Sequence, residues 1–238
     1  MNSPSPKNPP QPARKKATDP VNRASAGRLR ITEIFHSLQG EARTVGIPTV
    51  FVRLTGCPLR CGWCDTAYAF TGGEWMSPDT ILERVAALGA RYVTVTGGEP
   101  LAQRECADLL TRLCDAGYSV SLETSGALDI APVDARVSIV LDLKAPGSGE
   151  SARNRFENIA LLATKDQVKF VILDRTDYEW SCARLREFDL ATRCEVLFSP
   201  VFGQLEPRQL ADWILADRLP VRMQVQLHKL LWGDKPGH

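Results

Sequence analysis

The sequence predicts an α/β fold, a partial barrel of parallel strands of the (β/α)6 type. Three observations predict it. Short β-branched apolar runs alternate with segments of helical period, the pattern of βαβ units and a parallel sheet. The polar residues able to do chemistry sit where those runs end, the place at which such folds carry their sites. The 238 residues, 44% of them hydrophobic, suffice for one sizeable core and are too few for two or three full domains. An open doubly wound sheet is the alternative that the same alternation allows.

The apolar runs are 49–54, 92–95, 119–122, 137–141, 167–173, 195–198 and 223–227. Helical segments lie between most of them. Ser77-Pro78 opens one, with serine as N-cap and proline in the first helical position. Residues 101–115 form another, closed by Gly117, and Glu206-Pro207 opens a third that runs through Trp213 towards Asp217. No internal repeat is present.

Residues 1–28 stand apart. They carry six basic residues and one acidic residue, a charge of +5, which leaves the remaining 210 residues at −4. Six of the sixteen prolines fall between Pro4 and Pro20, with no aromatic residue among them. Such a stretch buries too little apolar surface to offset its ordering entropy and is expected to be a disordered basic tail ahead of a catalytic domain spanning 29–238. No apolar segment of export length follows its charges.

Composition excludes several function classes. A mean hydropathy of −0.16 with 24% charged residues is that of an ordinary globular protein, and no apolar stretch reaches 18 residues, so no membrane helix is expected. A net charge of +1 provides no global field for nucleic acid. Seven cysteines in an uneven scatter argue against a secreted disulfide framework and for a reduced cytoplasmic setting, where clustered cysteines mean metal or redox chemistry.

Three cysteines lie within eight residues, in Thr55-Gly56-Cys57-Pro58-Leu59-Arg60-Cys61-Gly62-Trp63-Cys64-Asp65-Thr66, directly after a strand. The spacing is C-x3-C-x2-C, and Gly56, Pro58 and Gly62 keep the loop from becoming helical. Structural zinc is one reading, but it wants four ligands, commonly in two cysteine pairs, and Cys106, Cys114, Cys182 and Cys194 supply no second C-x2-C. These four read as packing thiols. A four-iron, four-sulfur cluster normally takes four cysteines, so three leave one iron with an open position, which suits a catalytic cluster.

This motif, with Trp63 before its last cysteine, resembles the signature of radical S-adenosylmethionine (SAM) enzymes. A second feature fits: Val93-Thr94-Val95-Thr96 runs into Gly97-Gly98-Glu99-Pro100, where glycines allow close backbone approach to a ligand. The runs Phe35-His36-Ser37-Leu38-Gln39-Gly40-Glu41, Phe51-Val52-Arg53-Leu54-Thr55-Gly56-Cys57 and Gln224-Val225-Gln226-Leu227-His228-Lys229-Leu230-Leu231-Trp232-Gly233-Asp234 narrow the resemblance to the 7-carboxy-7-deazaguanine synthase family, over about residues 30–236.

The resemblance implies the radical SAM fold and a carbon–nitrogen lyase reaction: 6-carboxy-5,6,7,8-tetrahydropterin becomes 7-carboxy-7-deazaguanine with loss of ammonia, on the route to deazapurines such as queuosine of tRNA. The cluster and SAM supply a 5′-deoxyadenosyl radical that takes hydrogen from C6 of the pterin, so no side chain is assigned as catalytic. Cys57, Cys61 and Cys64 would bind the cluster, and Thr66 would hold Mg2+ together with substrate oxygens and water. Leu38, Gln39, Gly40 and Thr96 match pterin contacts. Glu41 either joins that row or pairs with Arg43 at the surface. Arg53, a lone cation in an apolar strand, needs an anionic partner: either a structural carboxylate or, in the functional reading, the substrate carboxylate. Trp63, Cys64, Asp65, Gly98, Ser125, Asp142, Leu143, Lys144, Ser199, Pro200, Val201 and Phe202 match SAM contacts. Pro236 matches the residue whose terminal carboxylate reaches the pterin in some members, although Gly237 and His238 follow it here. His228 and Trp232 line the same region or anchor the tail. The family further implies a homodimer and an electron donor such as flavodoxin, with no direct nucleic-acid or membrane partner. Two other readings of the residues stand: an activating enzyme for a glycyl-radical protein, and a zinc-binding interaction module.

Overall fold

A computed structural model describes residues 27–233 together with Lys235 and Gly237. The tail expected over 1–28 therefore lies, but for its last two residues, outside the described residues, as does Pro236.

Each apolar run but the last forms a strand. In chain order the regular elements are β1 (Leu29–Leu38), β2 (Pro48–Leu54), β3 (Glu74–Met76), α1 (Pro78–Leu88), β4 (Tyr92–Gly97), α2 (Cys106–Asp115), β5 (Ser119–Thr124), β6 (Ser138–Asp142), β7 (Gln167–Ile172), α3 (Arg175–Glu187), α4 (Leu190–Arg193), β8 (Glu195–Pro200), α5 (Pro207–Ala216), β9 (Arg222–Met223) and α6 (Leu227–Trp232). One sheet runs β3-β1-β2-β4-β5-β6-β7-β8-β9. From β2 onward its neighbours pair in parallel, and β1 joins β2 and β3 antiparallel. The six longer parallel strands, β2 and β4 to β8, are those of the expected partial barrel, and the sheet stays open between β3 and β9.

The sheet is curled. Ala42 N–H donates to Gln224 Oε1 at 2.6 Å, and Gln224 Nε2 returns a bond to the Ala42 carbonyl at 2.8 Å. Gln224 directly follows β9, seven strand spacings from β1, about 34 Å across a flat sheet. Four residues beyond Leu38 the chain reaches at most about 14 Å. Only a curved sheet lets the segment between β1 and β2 bridge its two sides. Gln39 makes the same crossing nearer the middle, donating to Thr94 Oγ1 on β4 and Glu123 Oε1 on β5.

Local chemistry explains the helix ends. Ser77 caps α1, its Oγ accepting from Thr80 N at 3.1 Å, and Gly89 closes the helix in the left-handed region at φ 70°. Asp174 caps α3 through the Asp177 N–H. The core packs Ile81 and Val85 of α1 and Leu109, Leu110 and Leu113 of α2 against the sheet. Cys106, Cys182 and Cys194 are buried in it and Cys114 packs beside it, so these four thiols take packing positions. Burial pushes the Cys194 thiol up to about 12.

Several elements differ from the sequence reading. β1 is a strand of 10 residues that no apolar run marks, because Arg30, Glu33 and His36 interrupt it. Residues 101–115 begin as a 3-10 turn at Pro100–Ala102 before α2 starts. The run 223–227 is largely not a strand: β9 ends at Met223 and α6 begins at Leu227. The β6-to-β7 connection carries 3-10 turns where a full βαβ unit would carry an α-helix. Among the described residues no helix is long and apolar enough to cross a membrane.

Candidate active site

A cavity of about 630 Å³ opens at the C-terminal ends of the parallel strands. Strand alternation decides which residues reach it. Arg53 on β2, Thr96 on β4, Glu123 on β5, Val140 and Asp142 on β6, and Lys169 and Val171 on β7 all line its wall.

The cysteine loop forms one side. Cys57, Cys61 and Cys64 all line the cavity as free thiols. The loop is held from three directions. Glu99 N–H donates to the Gly56 carbonyl at 2.9 Å, Gly62 N–H to Ser148 O at 3.0 Å, and Arg60 N–H to Glu150 Oε1 at 2.6 Å. The Arg60 guanidinium bonds the Cys57 and Leu59 carbonyls while lying 4.2 Å from the Phe70 ring centroid. Burial raises the thiols of Cys57 and Cys61, so binding a cluster here displaces protons. Among the described residues no three His, Cys, Asp or Glu side chains gather as a site for one metal ion. A four-iron cluster takes one cysteine per iron, so it needs thiols on one loop rather than gathered on one ion. Three thiols with no fourth beside them fit a four-iron cluster that keeps one position for another ligand.

Gly97 and Gly98 line the cavity and also meet the cysteine loop and β2. A Cβ on Gly98 would stand 2.4 Å from the Gly56 carbonyl oxygen and 2.6 Å from Cys57 Cβ; one on Gly97, at φ 155°, would stand 2.3 Å from the Leu54 carbonyl oxygen. The glycines let β4 and the cysteine loop touch. Behind them Glu99 is fully buried and saturated, accepting from Thr124 Oγ1, Leu101 N, Ser125 N at 2.7 Å and Ser125 Oγ at 2.5 Å. Ser125 lines the cavity, but its hydroxyl proton is committed to Glu99.

A charged row also lines the cavity, with its Lys144 end near Cys57 and Cys61. Lys169 Nζ lies 2.6 Å from Glu41 Oε2 and 3.4 Å from Asp142 Oδ2, and Lys144 Nζ lies 3.0 Å from the same Asp142 oxygen. Burial opposes the charge on each group. The carboxylates nevertheless hold both lysines above their ordinary values, and the lysines hold Glu41 and Asp142 below theirs. Glu123 moves the other way, raised by burial and the nearby Glu41 charge, although Gln39 Nε2 and Thr96 Oγ1 donate to it. Asp142 Oδ1 is buried with no hydrogen-bond partner, an acceptor free for a bound ligand. Glu41 thus pairs with Lys169, and Arg43 pairs with Glu195 at 3.2 Å, which corrects the surface pairing of Glu41 with Arg43.

Leu38, Gln39 and Gly40 line the cavity floor. Gly40 is held by Leu227 N–H donating to its carbonyl, and a Cβ there would meet His228 Nδ1 at 2.0 Å. Arg53 Nε lies 2.6 Å from Glu33 Oε1, so the structural carboxylate and the cavity-facing position both hold for this arginine. Asp65 accepts from Thr66 Oγ1 at 2.8 Å and pairs with Lys229 at 3.2 Å. Burial raises its carboxyl, but Lys229 and Thr66 together bring it down to about 2. Trp63, Gly98, Lys144, Val201 and Phe202 also reach the wall.

Three expected contacts do not. Leu143 points into the core, because Asp142 and Lys144 on either side of it point inward. Ser199 and Pro200 are buried within β8, outside the cavity lining. Glu33, Tyr68, Glu123, Lys169 and Gln226 were missed by the sequence reading. Lys169 carries the signal that singled out Arg53, a lone cation in an apolar strand.

Residues 51–145 match the family described as the Radical SAM superfamily. The chain is 47% identical to a 7-carboxy-7-deazaguanine synthase of Chlorobaculum tepidum over 208 residues, covering 86% of this chain and 94% of the relative. It is 44% identical to one of Koribacter versatilis, covering 86% and 97%. In fold it is similar to the crystal structure of QueE from Escherichia coli, with TM-score 0.66 and 24% identity over 84% of this chain and 95% of that one. By this kinship over nearly its whole folded length, the chain belongs to the 7-carboxy-7-deazaguanine synthase family of radical SAM enzymes.

Proposed function

We propose that the chain converts 6-carboxy-5,6,7,8-tetrahydropterin to 7-carboxy-7-deazaguanine with loss of ammonia. The observation that carries this reading is one cavity lined both by three free thiols and by Gln39, Glu123 and Arg53. When bound, the cluster and SAM, with one electron from an external donor, would supply hydrogen-atom abstraction chemistry at the substrate.

The chain's own residues bind and orient. Cys57, Cys61 and Cys64 hold the cluster. Trp63, Asp142 and Lys144 face the space beside it, where the free Asp142 oxygen suits a donor group of SAM. Gln39 and Glu123 meet the donor and acceptor row of the pterin edge, and Thr96 holds Glu123 in place at 3.0 Å. Arg53 takes the substrate carboxylate in the two-pronged geometry that guanidinium favours. Thr66 would hold Mg2+ through its hydroxyl, together with substrate oxygens and water. Residues 29–238 act as one catalytic domain with a basic tail ahead of it, in the cytoplasm, as a homodimer served by a one-electron donor such as flavodoxin.

Anaerobic reconstitution with iron and sulfide should give a brown protein with roughly four irons per chain. Dithionite, SAM and the carboxypterin should then yield the deazapurine acid. An intact cluster that cleaves SAM without forming this product would refute the substrate assignment. Arg53→Ala should keep the cluster and weaken substrate binding by ~3 kcal/mol or more, because a desolvated carboxylate loses its charged partner.

A further inference from the structure

Arg53 is gripped from behind. Glu33 faces it across the β1–β2 ladder, next to an irregularity in register between Ile31 and Glu33. One oxygen, Glu33 Oε1, accepts both from Arg53 Nε at 2.6 Å and from the Tyr68 hydroxyl at 2.8 Å. The guanidinium carbon lies 5.6 Å from the Phe35 ring centroid and 5.9 Å from that of Tyr68, and Phe35 is stacked on Phe51 at 5.0 Å. Arg53, Phe35 and Tyr68 line the cavity; Glu33 does not. Nε is therefore bound on the side away from the ligand. Arg53's two terminal nitrogens have no hydrogen-bond partner among the described residues.

An arginine side chain has several rotatable bonds and loses considerable entropy when a ligand must freeze it. Here that ordering is done before the ligand arrives. We propose that Glu33, with Tyr68, is the positioning residue that presets the Arg53 fork, and that this preset selects a substrate carrying a carboxylate at the arginine end of the cavity. Reach, not charge, is what the role requires: an acceptor oxygen at the end of a glutamate-length side chain. This rests on the reading above that Arg53 clamps the substrate carboxylate.

The test compares dissociation constants for two ligands on cluster-loaded, SAM-bound enzyme without reductant, so that nothing turns over. The ligands are the 6-carboxytetrahydropterin and a tetrahydropterin lacking the carboxylate, and their ratio is the acid preference. Glu33→Asp keeps the charge but draws the acceptor back by one methylene; Glu33→Gln keeps the reach and loses the charge. Glu33→Asp should lower the preference by about tenfold, the equivalent of ~1.4 kcal/mol of lost preorganisation. Glu33→Gln should stay within about threefold of the unaltered enzyme, since its amide oxygen still accepts from Nε and from Tyr68. A counterion role predicts the reverse order, and that result would overturn the proposal. So would equal weakening of both ligands by Glu33→Asp, the sign of a merely structural part. Arg53→Met separates the two readings. If it abolishes the preference while Glu33→Asp leaves it intact, the clamp stands and the positioning role falls. If Arg53→Met itself keeps the preference, the clamp fails first and the positioning role with it.

Discussion

Lys169→Met tests whether the charged row is an integral part of the site. The lysine side chain is 12% exposed, with Glu41 at 2.6 Å and Asp142 at 3.4 Å. Asp142 keeps Lys144 at 3.0 Å when Lys169 is removed, whereas Glu41 keeps the Gln226 amide at 2.9 Å and no ion pair among the described residues. Removing one partner of a buried pair leaves the other uncompensated, at a cost of about 3–5 kcal/mol. For a folded body of this size that is a fall of roughly 6–20 °C in Tm, at 2–4 °C per kcal/mol.

The pH dependence separates this mechanism from lost packing. In the intact protein, burial raises Glu41 but Lys169 brings it below the ordinary carboxylate value, so its contribution is present above that value and is lost only as pH falls through the depressed one. Lys169 sits well above the ordinary lysine value, and its contribution is lost only at strongly alkaline pH. Between about pH 5 and 8 the pair is thus flat. In Lys169→Met the main lowering partner is gone and burial outweighs the Gln226 hydrogen bond and the His228 charge, so the folded state prefers protonated Glu41. Stability is then fully present below the unfolded value and falls as pH rises through the folded one. Thermal unfolding followed by far-ultraviolet circular dichroism should show the gap between intact and variant protein widening from about pH 5 to 8. Adding Glu41→Gln should recover much of the loss, because the buried charge is gone. A constant gap worth under ~1 kcal/mol, the size of an exposed pair, would refute the argument.

Other consequences are simpler to state. Cys61→Ala should remove the iron and the brown colour, whereas Cys106→Ala, in the α2 core, should keep both; a fully loaded cluster in the first variant would overturn the ligand assignment. Gly98→Ala should cost about 1–3 kcal/mol and lower iron occupancy, since its Cβ would strike the Gly56 carbonyl and Cys57. Gly72→Ala, at φ 79° with nothing within 4 Å, should cost about 1–2 kcal/mol and leave iron content unchanged. Asp65, held at about 2, should keep its bond to Lys229 down through mild acid, and its stabilisation should vanish only below about pH 4 as the carboxyl protonates.

The site was legible in the sequence where one residue type has one use. Three cysteines at that spacing have few structural duties in common, and Ser77-Pro78 has a capping chemistry of its own. Legibility failed where geometry assigns the partner. Gly97 and Gly98 line the cavity as expected of glycines near a ligand, but that they also admit the cysteine loop and β2 is decided across the fold. Leu143 was carried over with its neighbours as a block, whereas a strand sends every second residue to the other face. Lys169 and Arg53 look alike in sequence, each a cation among apolar neighbours, and only the fold gives one two buried carboxylates and the other a single carboxylate shared with a tyrosine. β1 escaped notice because the charges that obscure its pattern, Glu33 among them, serve the neighbouring site.

The density of charge around this cavity calls for a reason, since moving a hydrogen atom develops little charge for an electrostatic environment to stabilise. The usual large term in enzymatic rate, dipoles aimed at charge that appears in the transition state, has little to act on. What remains is position: reacting atoms held within about 3–3.5 Å and water kept away. Salt bridges and buried hydrogen bonds with fixed partners serve that end, because each ties a side chain to a neighbouring strand or loop. Glu41 joins the β1–β2 loop to β7, Lys169 joins β7 to β6, and Glu123 joins β5 to the cavity floor through Gln39. Each tie spans different elements of the cavity wall. It follows that substitutions which conserve charge but change length, such as Glu123→Asp, should impair turnover nearly as much as those which remove the charge. In a site built to stabilise developing charge, keeping the charge would preserve most of the rate.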